Sequence, residues 1–394
     1  MRHSKTLLTA SCFLAFFSFG FIDNLKGPIL PELLRTEHFS LSQGGSLFFG
    51  AYMGFIVATL FTGIFSDWVG NRLVLQIAGM FLCIGLAGVS WVNSLSILMM
   101  LMSIIGLGLG AIEVGANGLI VELHRENPGR YLNLLATFHG TGSFLVPLYV
   151  AWLLHWNVGW RSIFLTAVIL SGILTMAFVM TPYHREATSQ AKTQWNWGEV
   201  LRVGFTGQMA WYYLLITSYV AVELGVGAWL MEYLQQVRGQ SVAQSSYYLS
   251  GFFAMIMFGR FIGSFVVEQL GYMRVVGVAL LGGTACLIAG FSGSEAMILA
   301  LPISGAFFSI IFPTVTAVVT NKHQENVGTI LGIFFTFGGL GGALGPWTIG
   351  VVSQAFGLQW GLSMTIGFCV VAMVAQVVLH RSASTMASTL PTSS

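Results

Sequence analysis

Charge is what this sequence has least of. Of its 394 residues, Asp, Glu, Lys and Arg together make up 8%, and only Asp23 and Asp67 are aspartates. A soluble domain carries about 25% charged residues, so this chain could not cover a water-facing surface. A net charge of +2 leaves no basic footprint for nucleic acid, and no nucleic-acid partner is expected. Cysteine is sparse too: Cys12, Cys83, Cys286 and Cys369 lie far apart in apolar runs, without metal-like spacing or a CxxC pair. They read as ordinary core residues. Gly106-x-Gly108-x-Gly110 follows no strand and is therefore no nucleotide loop. No exposed domain is left to hold a nucleophile and its base, so enzymatic activity, cofactors and metal sites are not expected.

What is abundant is apolar. Hydrophobic residues make up 55%, with 48 Gly and 31 Phe, and mean hydropathy is +0.80. That composition fits helices packed in lipid, where glycine lets backbones approach closely. Twelve runs of the length that crosses hydrocarbon fall near 7–33, 43–66, 73–92, 95–121, 131–154, 160–181, 208–231, 244–267, 273–291, 296–320, 327–356 and 359–380. Asn93-Ser94 separates the third from the fourth. Met1-Arg-His-Ser-Lys5 opens like a signal peptide, but the run continues through Asp23 to Pro31 with no small-residue cleavage site. It reads as a retained first helix.

Eleven of the sixteen Lys and Arg fall in inner segments if the N-terminus is inside; only Arg35, Arg161 and Arg238 fall in outer loops. By the positive-inside rule both termini are expected in the cytoplasm of a multi-pass inner (plasma) membrane protein. Trp152, Trp156 and Trp160, and Trp195 and Trp197, read as interfacial belts.

The polar stretch 182–207, with Ser189, Gln190, Lys192, Gln194 and Asn196, divides the chain into halves. The expected organisation is an N-terminal six-helix bundle (1–181), a cytoplasmic linker (182–207), a C-terminal six-helix bundle (208–380) and a cytoplasmic tail (381–394). The halves repeat: Gly140-Thr-Gly-Ser-Phe-Leu-Val-Pro147 matches Gly339-Leu-Gly-Gly-Ala-Leu-Gly-Pro346 at an offset of 199 residues. Tandem halves of this kind place a transport site near the midplane between them.

Gly63-Ile-Phe-Ser-Asp67-Trp-Val-Gly70-Asn-Arg72 resembles the major facilitator signature G-x-x-x-D-x-x-G-x-R, with a degenerate copy at Gly259-Arg260, Gly263, Glu268, Gly271 and Arg274. The resemblance implies the major facilitator fold: an all-α membrane protein of twelve transmembrane helices in two pseudo-symmetric six-helix bundles. It makes Gly63, Asp67, Gly70 and Arg72 a cytoplasmic latch, and Arg260 is expected to snorkel or to pair with that gating region. More narrowly, Gly108-Leu-Gly-Ala-Ile-Glu113-Val-Gly-Ala-Asn117, Leu132-Asn133 to Gly140, Asn24-Leu25 to Pro31 and Ser309 to Thr314 resemble the fucose–proton symporter family with its sodium-dependent glucose transporter relatives. In that family the matching helix 4 glutamate binds sugar and takes part in proton coupling, which points to Glu113. Gly27 stands where that family has its helix 1 aspartate; the carboxylate here is Asp23, Lys26 lies beside it, and His139 replaces an asparagine.

Intramembrane charge is costly, at least about 2.5 kcal/mol per group at the bilayer centre, and so marks function. Glu113 shares within about 60° of helix surface the residues Gly106, Gly110 and Asn117, a face suited to a groove for a polar ligand. Asp23 and Lys26, three apart, form either a self-neutralising pair or a network that tunes Glu113. Asn24, Asn117, His139, Glu223 and Tyr219 are candidate solute contacts; His139 and Glu223 read equally as buried structural partners. The expected activity is alternating-access import of a monosaccharide or similar small polar solute, coupled to H+ in preference to Na+, by a monomer in the bilayer. Competing readings are a proton-driven exporter of drugs or amphipathic compounds and a non-transporting sensor or lipid handler.

Overall fold

A computed structural model describes residues 2–181, 204–322 and 327–388. Among them every regular element is a helix. Lipid offers a bare backbone no partner, so each span must close its own hydrogen bonds.

The first span, expected as one helix near 7–33, is two: α1 (Arg2–Asp23) and α2 (Lys26–Glu37). Pro28 and Pro31 have no N–H to return to the carbonyls of Asn24 and Gly27, so the ladder fails there. The last bonds, Asn24 N to Gly20 O and Leu25 N to Ile22 O, stretch to 3.4 and 3.3 Å. The Asn24 side chain turns back to donate to Gly20 O at 2.9 Å. An unwound step thus sits inside the span, with Asp23 and Lys26 on either side.

The first half continues with α3 (Leu41–Val69), α4 (Asn71–Val89), α5 (Leu95–Leu123), α6 (Pro128–His155) and α7 (Trp160–Met180). The second half comprises α8 (Gly207–Gln236), α9 (Val242–Leu270), α10 (Tyr272–Ser292), α11 (Ala300–Phe308), α12 (Ile311–Lys322), α13 (Val327–Phe356) and α14 (Leu358–Ser388). Its tenth span is broken as well: a 3-10 turn at Glu295–Leu299 leads into α11, and α11 yields to α12 at Ser309-Ile310. Pro313 has no N–H for Ser309 O, and the Ser309 hydroxyl instead donates to Ala306 O at 2.6 Å. Among the described residues, eleven helical stretches are long and apolar enough to cross a membrane. The twelfth, α9, is 29 residues long and carries Arg260. Linker residues 182–203, with Trp195 and Trp197, lie outside the described residues. The expected tail begins as helix, since α14 runs on to Ser388.

The repeat extends beyond the glycine-rich octets. Both α3 and α9 start on a capping box, Ser40 with Gln43 and Ser241 with Gln244, which satisfies two orphan N–H groups reciprocally. Both end on a glycine with positive φ, 87° at Gly70 and 88° at Gly271, where a side chain would be strained. Five residues into α3, Gly45 packs on the backbone of Pro346 in α13; five residues into α9, the Ser246 hydroxyl donates to Pro147 O in α6 at 2.9 Å. The same step of each second helix therefore meets the matching proline of the opposite half.

One hydrophobic core is built from α1–α7 and another from α8–α14, with Leu30, Leu34 and Phe48 of the first half packed into the second. The halves meet through α3 with α13, α6 with α9 and α2 with α8. These contacts are tight at the end carrying the two capping boxes: Gly27 lies against Gly227 O, and Leu41 N donates to Gln354 Oε1 at 3.0 Å. At the other end a Cβ on Gly63 of α3 or Gly332 of α13 would meet nothing within 4 Å. Packing around these two glycines is therefore looser than at the capped end.

Candidate functional site

The step between α1 and α2 holds the first ion pair. Lys26 Nζ donates to Asp23 Oδ1 at 2.6 Å, and Tyr52 of α3 donates its hydroxyl to Asp23 Oδ2 at 2.8 Å. Lys26 is only 7% exposed, and a buried ammonium is tolerable only when paired in this way. Its Nζ also stands 5.6 Å from the centre of the Tyr52 ring, within cation–π range. A small cavity opens beside this triad, walled by Phe48, Leu224 and Gly227. Tyr52 escaped the sequence reading because nothing in the apolar run of α3 distinguishes it from a packing aromatic.

A second pair joins α8 to α9, Glu223 Oε1 with Arg260 Nη2 at 3.3 Å. Arg260 therefore does not reach for the gating region, as its place near the end of the eighth span suggested. It turns inward because the counter-charge lies on α8. Its Nε–H is shielded from solvent and meets no acceptor among the described residues.

Glu113 on α5 has an amide for a neighbour. Asn117 Nδ2 donates to Glu113 O at 2.7 Å and to its Oε1 at 3.2 Å. The expectation that Gly106 and Gly110 open a groove beside it is overturned. A Cβ on Gly106 would strike Ala51 O, and one on Gly110 the Phe55 backbone and Ala58. The glycine face is filled by α3, in the small-residue packing that lipid-embedded helices favour. Glu113 and His139 nonetheless lie within electrostatic reach of Arg260, His139 also of Asp23, and Tyr52 of both Asp23 and Glu223. The two pairs and Glu113 make up the candidate site.

The remaining candidates occupy its surroundings. Asn24 Nδ2 donates to Ser143 Oγ at 3.0 Å, which ties the α1 break to α6. His139 stands edge-on to Phe19, ring centres 4.8 Å apart. Tyr219 is fully buried, its hydroxyl donates to Phe308 O at 2.8 Å, and the Glu223–Arg260 pair lies close to that hydroxyl. Trp229 is also buried, with Nε1 donating to Pro346 O at 2.9 Å. Trp152 and Trp156 are exposed as interfacial residues should be, but Trp160 is core, donating to Glu37 Oε1 at 3.3 Å. In the signature loop, Arg72 donates to Phe178 O and Val179 O, both at 2.9 Å. The carbonyl end of α7 attracts a cation. Asp67 is exposed. Glu232 was missed: it directly follows the span marked as 208–231, yet α8 runs on and leaves it 4% exposed, with Oε2 unpartnered.

Twelve spans in two repeated halves, with a cluster of carboxylates and cations within them, fit a membrane transporter rather than an enzyme. The Major Facilitator Superfamily model matches residues 12–346 and again 239–393, and the chain belongs to that family. It is 24% identical over 378 residues to the L-fucose-proton symporter of Escherichia coli (strain K12), covering 87% of this chain and 86% of that one. It is 25% identical over 199 residues to sodium-dependent glucose transporter 1 of Danio rerio, covering 50% of this chain and 33% of the other. In fold it resembles a variant of the nucleoside transporter NupG at a TM-score of 0.81 and 15% identity, covering 95% of this chain and 99% of that one.

Proposed function

We propose that this protein is a proton-coupled secondary transporter that imports a monosaccharide or similar small polar solute by alternating access. The observation that carries the reading is the charge left over in the site. Ion pairs neutralise Asp23 against Lys26 and Glu223 against Arg260, whereas Glu113 is bonded to Asn117 and makes no ion pair among the described residues. One carboxylate in surplus is a group that a transported cation can neutralise, because a bare charge at membrane depth is costly. A proton suits it better than sodium. The Asn117 amide presents N–H donors to Glu113, and its Nδ2 bond to Glu113 O fixes that orientation, so it brings no oxygen ligand to a metal cation. Similarity to a fucose–proton symporter supports the same class of solute and ion.

In this reading the units 1–181 and 208–380 rock as bodies about the site, the linker 182–207 and the tail 381–394 lie in the cytoplasm, and the monomer resides in the inner (plasma) membrane. The end of α3 that carries Gly63 then faces the cytoplasm, and Gly63, Asp67, Gly70 and Arg72 latch it when the outer end opens. Asn117, Asn24, His139 and Glu223 serve as solute contacts or hold them, with Tyr219 close to the Glu223–Arg260 pair. An exporter of amphipathic compounds would call for an apolar cavity, and the cluster of five charges argues against it.

The test is counterflow in proteoliposomes over a panel of sugars and polyols, followed by uptake under imposed H+ or Na+ gradients. Glu113→Gln is expected to retain counterflow and to lose proton-driven accumulation by at least about 10-fold, a difference of about 1.4 kcal/mol. Undiminished proton dependence in that variant removes Glu113 from the mechanism.

A further inference from the structure

We infer that the transported solute carries one negative charge: the site fits a polyhydroxy monocarboxylate, a sugar acid of the uronate or aldonate class, with its carboxylate held by Arg260. The inference rests on the proton-coupled transport reading above and names the solute class of that same site. Two independent observations lead to it.

The first is an under-used guanidinium. Lys26 meets its carboxylate at 2.6 Å, but Arg260 Nη2 meets Glu223 only at 3.3 Å. A charge-assisted N–H···O bond normally closes to about 2.7–2.9 Å. The Arg260 Nε–H meets no acceptor among the described residues, and the side chain as a whole remains 29% exposed. Leaving such a donor unserved is unfavourable. A planar five-donor fork matches a carboxylate in bidentate fashion, which a lysine cannot do. An anionic solute would supply the acceptors that Glu223 alone does not. Nearby, the His139 ring offers hydrogen bonds suited to hydroxyl groups.

The second observation is parity of charge. Asp23, Glu113 and Glu223 against Lys26 and Arg260 give the empty, unprotonated site a net charge of −1. A symporter must reorient when empty and when fully loaded, and must not reorient half-loaded. A monoanion bound with one proton returns the site to −1, the charge of the empty carrier. The proton alone gives 0 and the anion alone −2, so both half-loaded states differ electrically from both mobile ones. A neutral sugar offers no such distinction: sugar alone would leave the site at −1, and sugar with a proton would equal the proton alone. Arg260 is in this sense a residue that sets specificity, since it supplies the positive charge the anion needs without holding it in a closed pair.

The test uses full-length protein in detergent, with thermal unfolding read against matched pairs: glucose with glucuronate and gluconate, galactose with galacturonate. The acids are expected to bind at least about 10-fold tighter than their neutral partners. Arg260→Gln alone would strand Glu223, so the comparison is the charge-balanced double variant Glu223→Gln/Arg260→Gln. In it the ratio of acid to neutral affinity should fall to about one. In proteoliposomes, uptake of the acid with a proton should follow the pH gradient and ignore a potassium–valinomycin potential. Neutral sugars that bind as well as the acids overturn the inference and leave the transport reading standing. Acid preference that survives in the double variant, or acid uptake driven by the potential, overturns it too. A panel in which neither acids nor neutral sugars bind overturns the polar-solute reading itself, and this inference with it.

Discussion

Tyr52 and Asp23 show how much of a buried charge depends on single hydrogen bonds. Tyr52→Phe keeps the ring against Lys26 but strips the donor from Asp23 Oδ2, leaving a buried carboxylate oxygen without its partner. Such a loss costs about 1–3 kcal/mol, so a lower unfolding temperature is expected, and an unchanged one would mean that water replaces the hydroxyl. His124 is a residue of another kind, outside the spans in the α5–α6 turn. Its Nε2 meets Thr9 Oγ1 at 2.8 Å and its ring stacks on Tyr131 at 3.5 Å. Partial burial, and then the Lys5 charge, hold its pKa below the ordinary 6.5. The fold therefore favours the neutral ring. As pH falls below about 6.5 the unfolded chain takes up a proton that the folded one refuses, and stability declines until the folded ring also titrates. His124→Gln should flatten that part of the acid branch of a melting-temperature profile; an identical acid branch would show that other groups produce it.

At the scale of elements, glycine decides which helices touch. Gly45 meets the Pro346 backbone where α3 crosses α13, whereas Gly63, five turns along the same helix, faces open space. Gly45→Leu should hold the closed end apart, and a cysteine introduced there should react with a membrane-impermeant maleimide faster than in its absence. Gly63→Leu is expected to stay within about 0.5 kcal/mol of the parent, as isolated open sites do. If both variants label alike, the Gly45 contact is not what keeps that end shut. The breaks in the first and tenth spans belong to this scale too. Pro28, Pro31 and Pro313 were visible in the sequence, yet a run of apolar residues reads as one span whether or not a proline interrupts it, because hydropathy does not register a missing N–H.

Over the whole molecule, the proposed rocking motion requires the tightly packed end to open. Leu41 at the start of α3 and Gln354 near the end of α13 are within hydrogen-bonding distance. In a background lacking the four native cysteines, Leu41→Cys with Gln354→Cys should cross-link under mild oxidation. Counterflow should stop on oxidation and recover on reduction. Transport that persists while the cross-link is intact would mean that α3 and α13 need not part.

The sequence by itself determined what depends on composition along one line: a membrane protein, twelve spans, two halves with repeated prolines, and Glu113 as the carboxylate to examine. Scarcity of charge has this power because each charge in lipid must have a reason to be there. Only the tertiary structure decided which charges meet. Arg260 pairs with Glu223 rather than the gating region, Tyr52 completes the Asp23 pair, Glu232 and Trp160 are buried, and α3 fills the glycine face of α5. Each outcome follows from how a helix is rotated and where it crosses its neighbour. In lipid that is set by the close approach of small residues and by hydrogen bonds between helices, neither of which a single helical period can reveal.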